Sequence, residues 1–311
     1  MRAVVPKRLL PLTWVITNML LALIAYRGVI TADFIGFDDN LYVSENRIVQ
    51  QGLTPAGIRW ACTATYASTW QPLVWISYML EITLLGTEPR IFHFTNLLLH
   101  LLNVALFFVF VHQLSKRMFP AGIASLLLAI HPVHVESVAW IAERKGLLSS
   151  VFGFLAMIAY HRFVTSGAKR YYAAAFLALA LGLMAKPMLI TLPILFLLID
   201  FWPRTQSSET QSPLLPRNVL AKAPFGLLSM GSIIITSYTQ YKGGSFLGLG
   251  TITMWDRMAN AAISVWRYLW HLIYPVRLAL LYPHPGRWPF WAAFPAIIAL
   301  GSTLWLLYQY R

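Results

Sequence analysis

Charge and cysteine are what this chain lacks. Of its 311 residues only 11% are charged, only 11 are Asp or Glu, and Cys62 is the single cysteine. A lone cysteine excludes an internal disulfide and any cysteine-based metal site. So few charges exclude a soluble domain of this size. Hydrophobic residues make up 58% and the mean hydropathy is +0.62, the composition of a polytopic helical membrane protein. The 18 Pro and 18 Gly fit helix ends and breaks inside a membrane bundle, where neighbours re-satisfy freed backbone groups. The N-terminus is basic (Arg2, Lys7, Arg8) and then apolar with no convincing cleavage site, so it reads as an uncleaved first span. There is no internal repeat, and 204–218 is the one polar linker.

Apolar windows fall at 9–26, 92–114, 119–140, 147–164, 170–185, 188–202, 223–240, 259–280 and 289–309. They predict an all-α polytopic membrane protein of about nine transmembrane helices, read as one domain over 1–311. The fifth and sixth windows are separated only by Lys186-Pro187 and are short for about 30 Å of hydrocarbon, so one broken helix there stays open. With the N-terminus in the cytoplasm, the cytoplasmic segments hold 13 basic residues against two acids, and the other side 11 basic and nine acidic. The Lys/Arg excess favours this orientation. The net charge of +13 is then mostly topology, and no nucleic-acid partner is expected. Residues 27–91 form a long external loop holding Asp33, Asp38, Asp39, Glu45, Glu81 and Glu88, with Trp60, Trp70, Trp75 and Tyr78. That mixture predicts short helices lying on the membrane surface.

Four constellations could carry chemistry. Asp38 and Asp39 are adjacent in Phe-Ile-Gly-Phe-Asp-Asp-Asn-Leu-Tyr-Val, just past the first span. Two close carboxylates raise one another's pKa, which suits a general base. A solvated loop turn is the alternative. His93, Asn96, His100 and Asn103 recur at i, i+3, i+7 and i+10, one helical face, which must look into the bundle or a wet cavity. That stripe serves either a site near His93 or interhelical hydrogen bonding. In His131-Pro132-Val133-His134-Val135-Glu136, three ionisable groups crowd the lipid boundary. A divalent metal on His131 and His134 would lack a third ligand at a recognisable spacing. Arg144-Lys145 could hold an anionic phosphate, or snorkel. Lys186, at a helix break, could stabilise a phosphate leaving group or likewise snorkel. Tyr282-Pro283-His284-Pro285 is a rigid turn.

These residues give the chain a family look. It resembles the membrane part of the transmembrane-and-tetratricopeptide-repeat glycosyltransferases and their bacterial relatives, a family similar to the protein O-mannosyltransferases and of GT-C architecture. The resemblance rests on Phe37-Asp38-Asp39-Asn40-Leu41-Tyr42-Val43, Trp70-Gln71-Pro72-Leu73, His93 to His100, His131 to Trp140, Ala142-Glu143-Arg144-Lys145, Ala185-Lys186-Pro187-Met188 and Tyr282-Pro283-His284-Pro285. The run from His131 to Trp140 is the specific part. The family pattern would have His at Gln71 and Phe92 and Asp at Gly146, and the repeat array is expected to be missing.

The resemblance implies a GT-C-like bundle with a long first extracytoplasmic loop, in a bacterial inner membrane with its site facing the periplasm or exterior. It implies an inverting transfer of a sugar, such as mannose, from a polyprenyl-phosphate donor to a hydroxyl acceptor on protein or glycan. Asp38 or Asp39 would be the base. Arg144, Lys145, Lys186, His93, His131, His134, Glu136 and Trp70 would bind donor phosphate and sugar, with no resident metal assigned. A lipid or sugar transporter is the alternative that a broken helix would suit. A catalytically silent assembly partner is the one that Gln71, Phe92 and Gly146 would allow. Cys62 lies in the 27–91 loop, so a membrane-impermeant maleimide should label it in intact cells; labelling only after lysis would reverse the orientation.

Overall fold

The computed structural model describes residues 10–202, 220–244, 252–283 and 285–309. Arg2, Lys7, Arg8, the 204–218 linker and His284 lie outside the described residues. The chain divides into two compact units, Met1–Gly243 and Gly244–Arg311, and no strand occurs among the described residues.

The first unit opens with α1 (Leu10–Tyr26), which runs into a 3₁₀ turn, Arg27–Thr31. The loop that follows carries α2 (Pro55–Thr63) and α3 (Pro72–Leu85). Then come α4 (Pro89–Ser115), α5 (Met118–Ile130), α6 (Val135–Ala139), α7 (Arg144–Ser166), α8 (Lys169–Leu183), α9 (Leu192–Phe201) and α10 (Ala223–Lys242). Proline at the first helical position starts α2, α3 and α4, where its missing N–H costs nothing. Thr54 caps α2, its hydroxyl accepting from the Gly57 amide at 3.0 Å. Gly167, at φ +68°, ends α7 in the left-handed conformation that glycine adopts most cheaply.

The nine-helix bundle is not what forms. Among the described residues three helical segments, Leu10–Thr31, Pro89–Ser115 and Ile141–Ser166, are long and apolar enough to cross a membrane. A fourth is available if α5 and the Pro132–Ala139 segment, bent by 50°, count as one span. The correction has a simple origin. Apolar windows mark helices, but at about 1.5 Å rise per residue a span needs about 20 apolar residues. The 15 residues of α8 and the 10 of α9 fall short, and the Lys186-Pro187 break keeps them apart. Ser229, Ser232, Thr236, Ser237, Thr239 and Gln240 dilute α10. The long apolar helices are those of a multi-pass integral membrane protein.

The 27–91 segment is a folded cap with its own core. Tyr42, Val43, Val49, Val74, Trp75, Tyr78 and Met79 pack with Phe92, Trp140, Ile141 and Ala185. Below it, α4 lies against α5 and α7, and α7 against α8. Small residues admit the close approaches: a Cβ on Gly122 would sit 2.4 Å from the Trp14 ring. The α4 stripe is mainly interhelical bonding. Asn96 Nδ2 donates to the Trp140 carbonyl at 3.1 Å and Asn103 Nδ2 to Leu147 at 3.0 Å, and His100 Nε2 lies 3.1 Å from the Ala129 carbonyl.

Arg144 ties cap to bundle. Its guanidinium is fully buried, ion-paired to Glu81, and donates to Asn96 Oδ1 at 2.9 Å and the Phe92 carbonyl at 3.0 Å. It also lies 4.4 Å over the Tyr78 ring. Glu81 takes a further hydrogen bond from the Thr95 hydroxyl.

In the second unit α11 (Met254–Ile273) packs on α12 (Phe290–Gln309). Trp266 Nε1 donates to the Ala296 carbonyl at 3.0 Å, and Trp288 Nε1 to Asn260 Oδ1 at 3.1 Å.

Removing one partner of the buried pair leaves an uncompensated charge. Arg144→Ala and Glu81→Ala should each destabilise the detergent-solubilised protein by about 3–5 kcal/mol, and the double variant by much less than the sum. Additive losses in denaturant titration would show that the pair is not coupled.

Candidate active site

Asp38 sits at the centre of a strained three-residue turn. Its φ is +65°, and the Asp39 amide donates to the Phe37 carbonyl at 2.9 Å across it. That is a γ-turn of the rare hand, and it persists only when its surroundings over-determine it. They do. The Trp140 indole donates to the same Phe37 carbonyl at 2.9 Å, and the Phe37 ring lies 5.5 Å from the Trp140 ring. The Tyr42 amide holds the Asp38 carbonyl at 2.9 Å.

Asp39 supplies the remaining restraint. Its side chain is fully buried, Oδ2 accepting from the Ile35 amide at 3.0 Å and Oδ1 from the Ala142 amide at 2.9 Å. The adjacent acids therefore differ in circumstance. Asp39 is a clip between the cap and the start of α7, while Asp38 is half-buried at the surface of the turn. Burial raises the Asp39 pKa above the ordinary 3.8, and the Ile35 and Ala142 amides and His93 pull it back down. His93 is fully buried beside Asp39, its ring facing the backbone of Asp33 and Ala139.

Two lysines mark the head of a cavity of about 450 Å³. Lys145 and Lys186 line it with Trp70, Gln71, Met188, Ile190, Ile233 and Thr236, Ser237, Thr239 and Gln240 of α10. Lys145 Nζ lies 4.9 Å over the Tyr42 ring and 5.3 Å over Trp140, and it feels the charge of Asp38. Glu143 bridges the lysines, 2.9 Å from Lys186 Nζ and 3.4 Å from Lys145 Nζ. Gln71 is 2% exposed and its Nε2 has no partner, an unused donor on the cavity wall. Trp70 donates its indole N–H to the Cys62 carbonyl at 2.8 Å, which fixes the ring's direction; Cys62 itself is exposed.

The other predicted residues scatter. His131 Nδ1 accepts from the Val133 amide at 3.2 Å, capping the turn after α5. His134 lines a second cavity of about 250 Å³ with His100, Asn103, Glu143 and Lys186. Glu136 is exposed, within electrostatic range of Glu143 and both lysines. Arg144 has its guanidinium turned into the core and no exposed surface to offer a phosphate. Of the places where the family pattern is broken, Phe92 lies in the core, Gln71 on the large cavity, and Gly146 against Glu143. Among the described residues, no group of three His, Cys, Asp or Glu side chains converges as a metal site.

The α10 wall of the cavity was missed from sequence. Its signal was the polar run at the end of the helix, where Thr236, Ser237, Thr239 and Gln240 line the cavity.

No family profile matches this chain, and no solved structure matches it. Curated relatives do. Protein O-mannosyl-transferase TMTC1 of Mus musculus is 33% identical over 142 residues, 42% of this chain and 15% of the relative. Protein O-mannosyl-transferase TMTC3 of Homo sapiens is 34% identical over 94 residues, 30% of this chain and 10% of the relative. Protein O-mannosyl-transferase tmtc2 of Xenopus laevis is 30% identical over 155 residues, 45% of this chain and 18% of the relative. The chain is thus a distant, partial relative of these transferases, and the matched segments span less than a fifth of their length.

Asp39 gives a pH signature. Its folded pKa lies above its unfolded value, so its contribution to stability is full below the unfolded pKa and is lost as pH rises through the folded one. From acid toward neutral pH the melting temperature of the wild type should fall relative to that of Asp39→Asn. A difference between the two that stays constant with pH would exclude a raised Asp39 pKa.

Proposed function

We propose that this chain transfers a sugar from a polyprenyl-phosphate donor to a hydroxyl on a protein or glycan acceptor, at the extracytoplasmic face of a membrane. The observation that carries this reading is the strained turn that holds Asp38 within electrostatic reach of Lys145, which itself lines a cavity together with Lys186. The names of the relatives, O-mannosyl-transferases, favour mannose as the sugar.

Asp38 is the base in this proposal. Both Asp39 oxygens are occupied by backbone amides, which suits a positioning role. The Asp38 carboxylate takes the acceptor hydroxyl proton, and the oxygen attacks the anomeric carbon from the face opposite the phosphate. The bond from that carbon to the phosphate oxygen breaks through an oxocarbenium-like transition state, inverting the centre. Charge developing on the phosphate meets Lys145 and Lys186, and the free Gln71 amide offers a neutral donor. Met188, Ile190 and Ile233 provide an apolar wall for the prenyl chain, and Trp70 a ring face for the sugar. His93 buttresses Asp39, His131 shapes the turn after α5, and His134 and Glu136 lie on the flank of the lysine pair. Arg144 holds the scaffold.

Asp38→Asn should lower turnover by about 10²–10⁴-fold with a smaller change in donor KM, measured with labelled polyprenyl-phosphate mannose. Lys145→Ala and Lys186→Ala should each raise the barrier by about 2–4 kcal/mol, seen mainly in kcat. Full activity in Asp38→Asn would refute the base assignment. Facilitated movement of the lipid without transfer would favour a transporter.

A further inference from the structure

Glu143 has no part in the transfer chemistry above, yet it organises the cations that do. Its Oε2 lies 2.9 Å and its Oε1 3.3 Å from Lys186 Nζ, and Oε1 lies 3.4 Å from Lys145 Nζ. The carboxylate is 13% exposed. It lines the 250 Å³ cavity, which Lys186 shares, while both lysines line the 450 Å³ one, so it sits between the two cavities. Gly146 makes the room. A Cβ there would stand 2.9 Å from Glu143 Oε2, so the carboxylate would have to shift, and in ordinary contact with Lys186 Nζ at 3.7 Å.

The charge count then matters. Two lysines and one carboxylate leave the cluster at a net charge of +1; the Asp38 charge that also reaches Lys145 is cancelled once Asp38 has taken the acceptor proton, so the +1 is what the leaving phosphate meets. Exposed Glu136 lies in the same field but is screened by solvent. A sugar donor on a polyprenyl phosphate is a phosphodiester and carries one negative charge. Transfer breaks its bond to the sugar and leaves a phosphomonoester, whose second pKa near 6 brings it to about −1.5 to −2 at neutral pH. Two uncompensated lysines would hold this product more tightly than the substrate.

We propose that Glu143 is a positioning residue that partly neutralises the lysine pair, so that the site accepts the phosphodiester donor and releases the phosphomonoester product. This rests on the reading of Lys145 and Lys186 as the phosphate site. The carboxylate fixes both ammonium groups at the cavity head before the lipid arrives, and it lowers the attraction that grows as the leaving phosphate gains charge. Gly146 leaves the carboxylate room in that arrangement.

The test compares wild type, Glu143→Gln and Glu143→Asp, using short-chain polyprenyl phosphate as product and its mannosyl ester as donor. Melting curves select variants that fold. Glu143→Gln should bind the product about tenfold more tightly, with a smaller change for the donor, because a neighbouring unit charge has been removed. Its steady-state kcat should fall while single-turnover transfer is retained, and Glu143→Asp should restore the wild-type ratio of product to donor affinity. Equal changes for donor and product in Glu143→Gln would overturn the proposal. So would an altered ratio in a well-folded Glu143→Asp equal to that of Glu143→Gln. A Lys145→Ala, Lys186→Ala chain that binds product as the wild type does would instead overturn the phosphate site itself.

Discussion

A single buried arginine holds the parts of the first unit in register. Arg144 begins α7, Glu81 lies in α3 and Asn96 in α4, and the guanidinium joins all three. A cation there is tolerable only because it is paired, hydrogen-bonded and covered by the Tyr78 ring. The cap between α1 and α4 can therefore carry a core of its own while remaining locked to the helices beneath it. Both neighbours of Arg144 inherit fixed positions. Glu143 and Lys145 stand on either side of it at the start of α7, lining the cavities.

The strained turn at Asp38 depends on that frame. The Ala142 amide that binds Asp39 lies two residues before Arg144, and the Trp140 indole that binds Phe37 lies four before it. A left-handed aspartate costs about 1–3 kcal/mol in isolation and is kept only where neighbours enforce it. Here the enforcing groups come from a segment a hundred residues away in the chain. Burial of Asp39 and strain at Asp38 are two consequences of one junction.

The lysines illustrate how lipid-boundary charges divide. Snorkelling and ligand binding are equally plausible for an isolated Lys at a helix end. Lys145 and Lys186 come from different helical segments and converge on one carboxylate, which a snorkelling pair has no reason to do. The cavity beside them joins apolar wall to polar stripe, the mixed lining a lipid with a charged head would need. Distant resemblance to O-mannosyl-transferases and this geometry support the same reading from independent directions.

The sequence by itself determined the class and the helices: scarce charge and long apolar runs leave a membrane-embedded all-α chain, and most windows became helices. It also marked the motif residues. The number of membrane-crossing helices was not legible, because hydropathy windows respond to apolar content and not to where a proline or a polar face cuts a helix short, as at Lys186-Pro187 and along α10. Nor was the division of labour between Asp38 and Asp39, or the burial of Arg144 beside the partly exposed Lys145. Each is set by contacts between segments 40 to 100 residues apart. Local pattern says which residue types are present; only packing decides which of two neighbours faces the core and which faces the site.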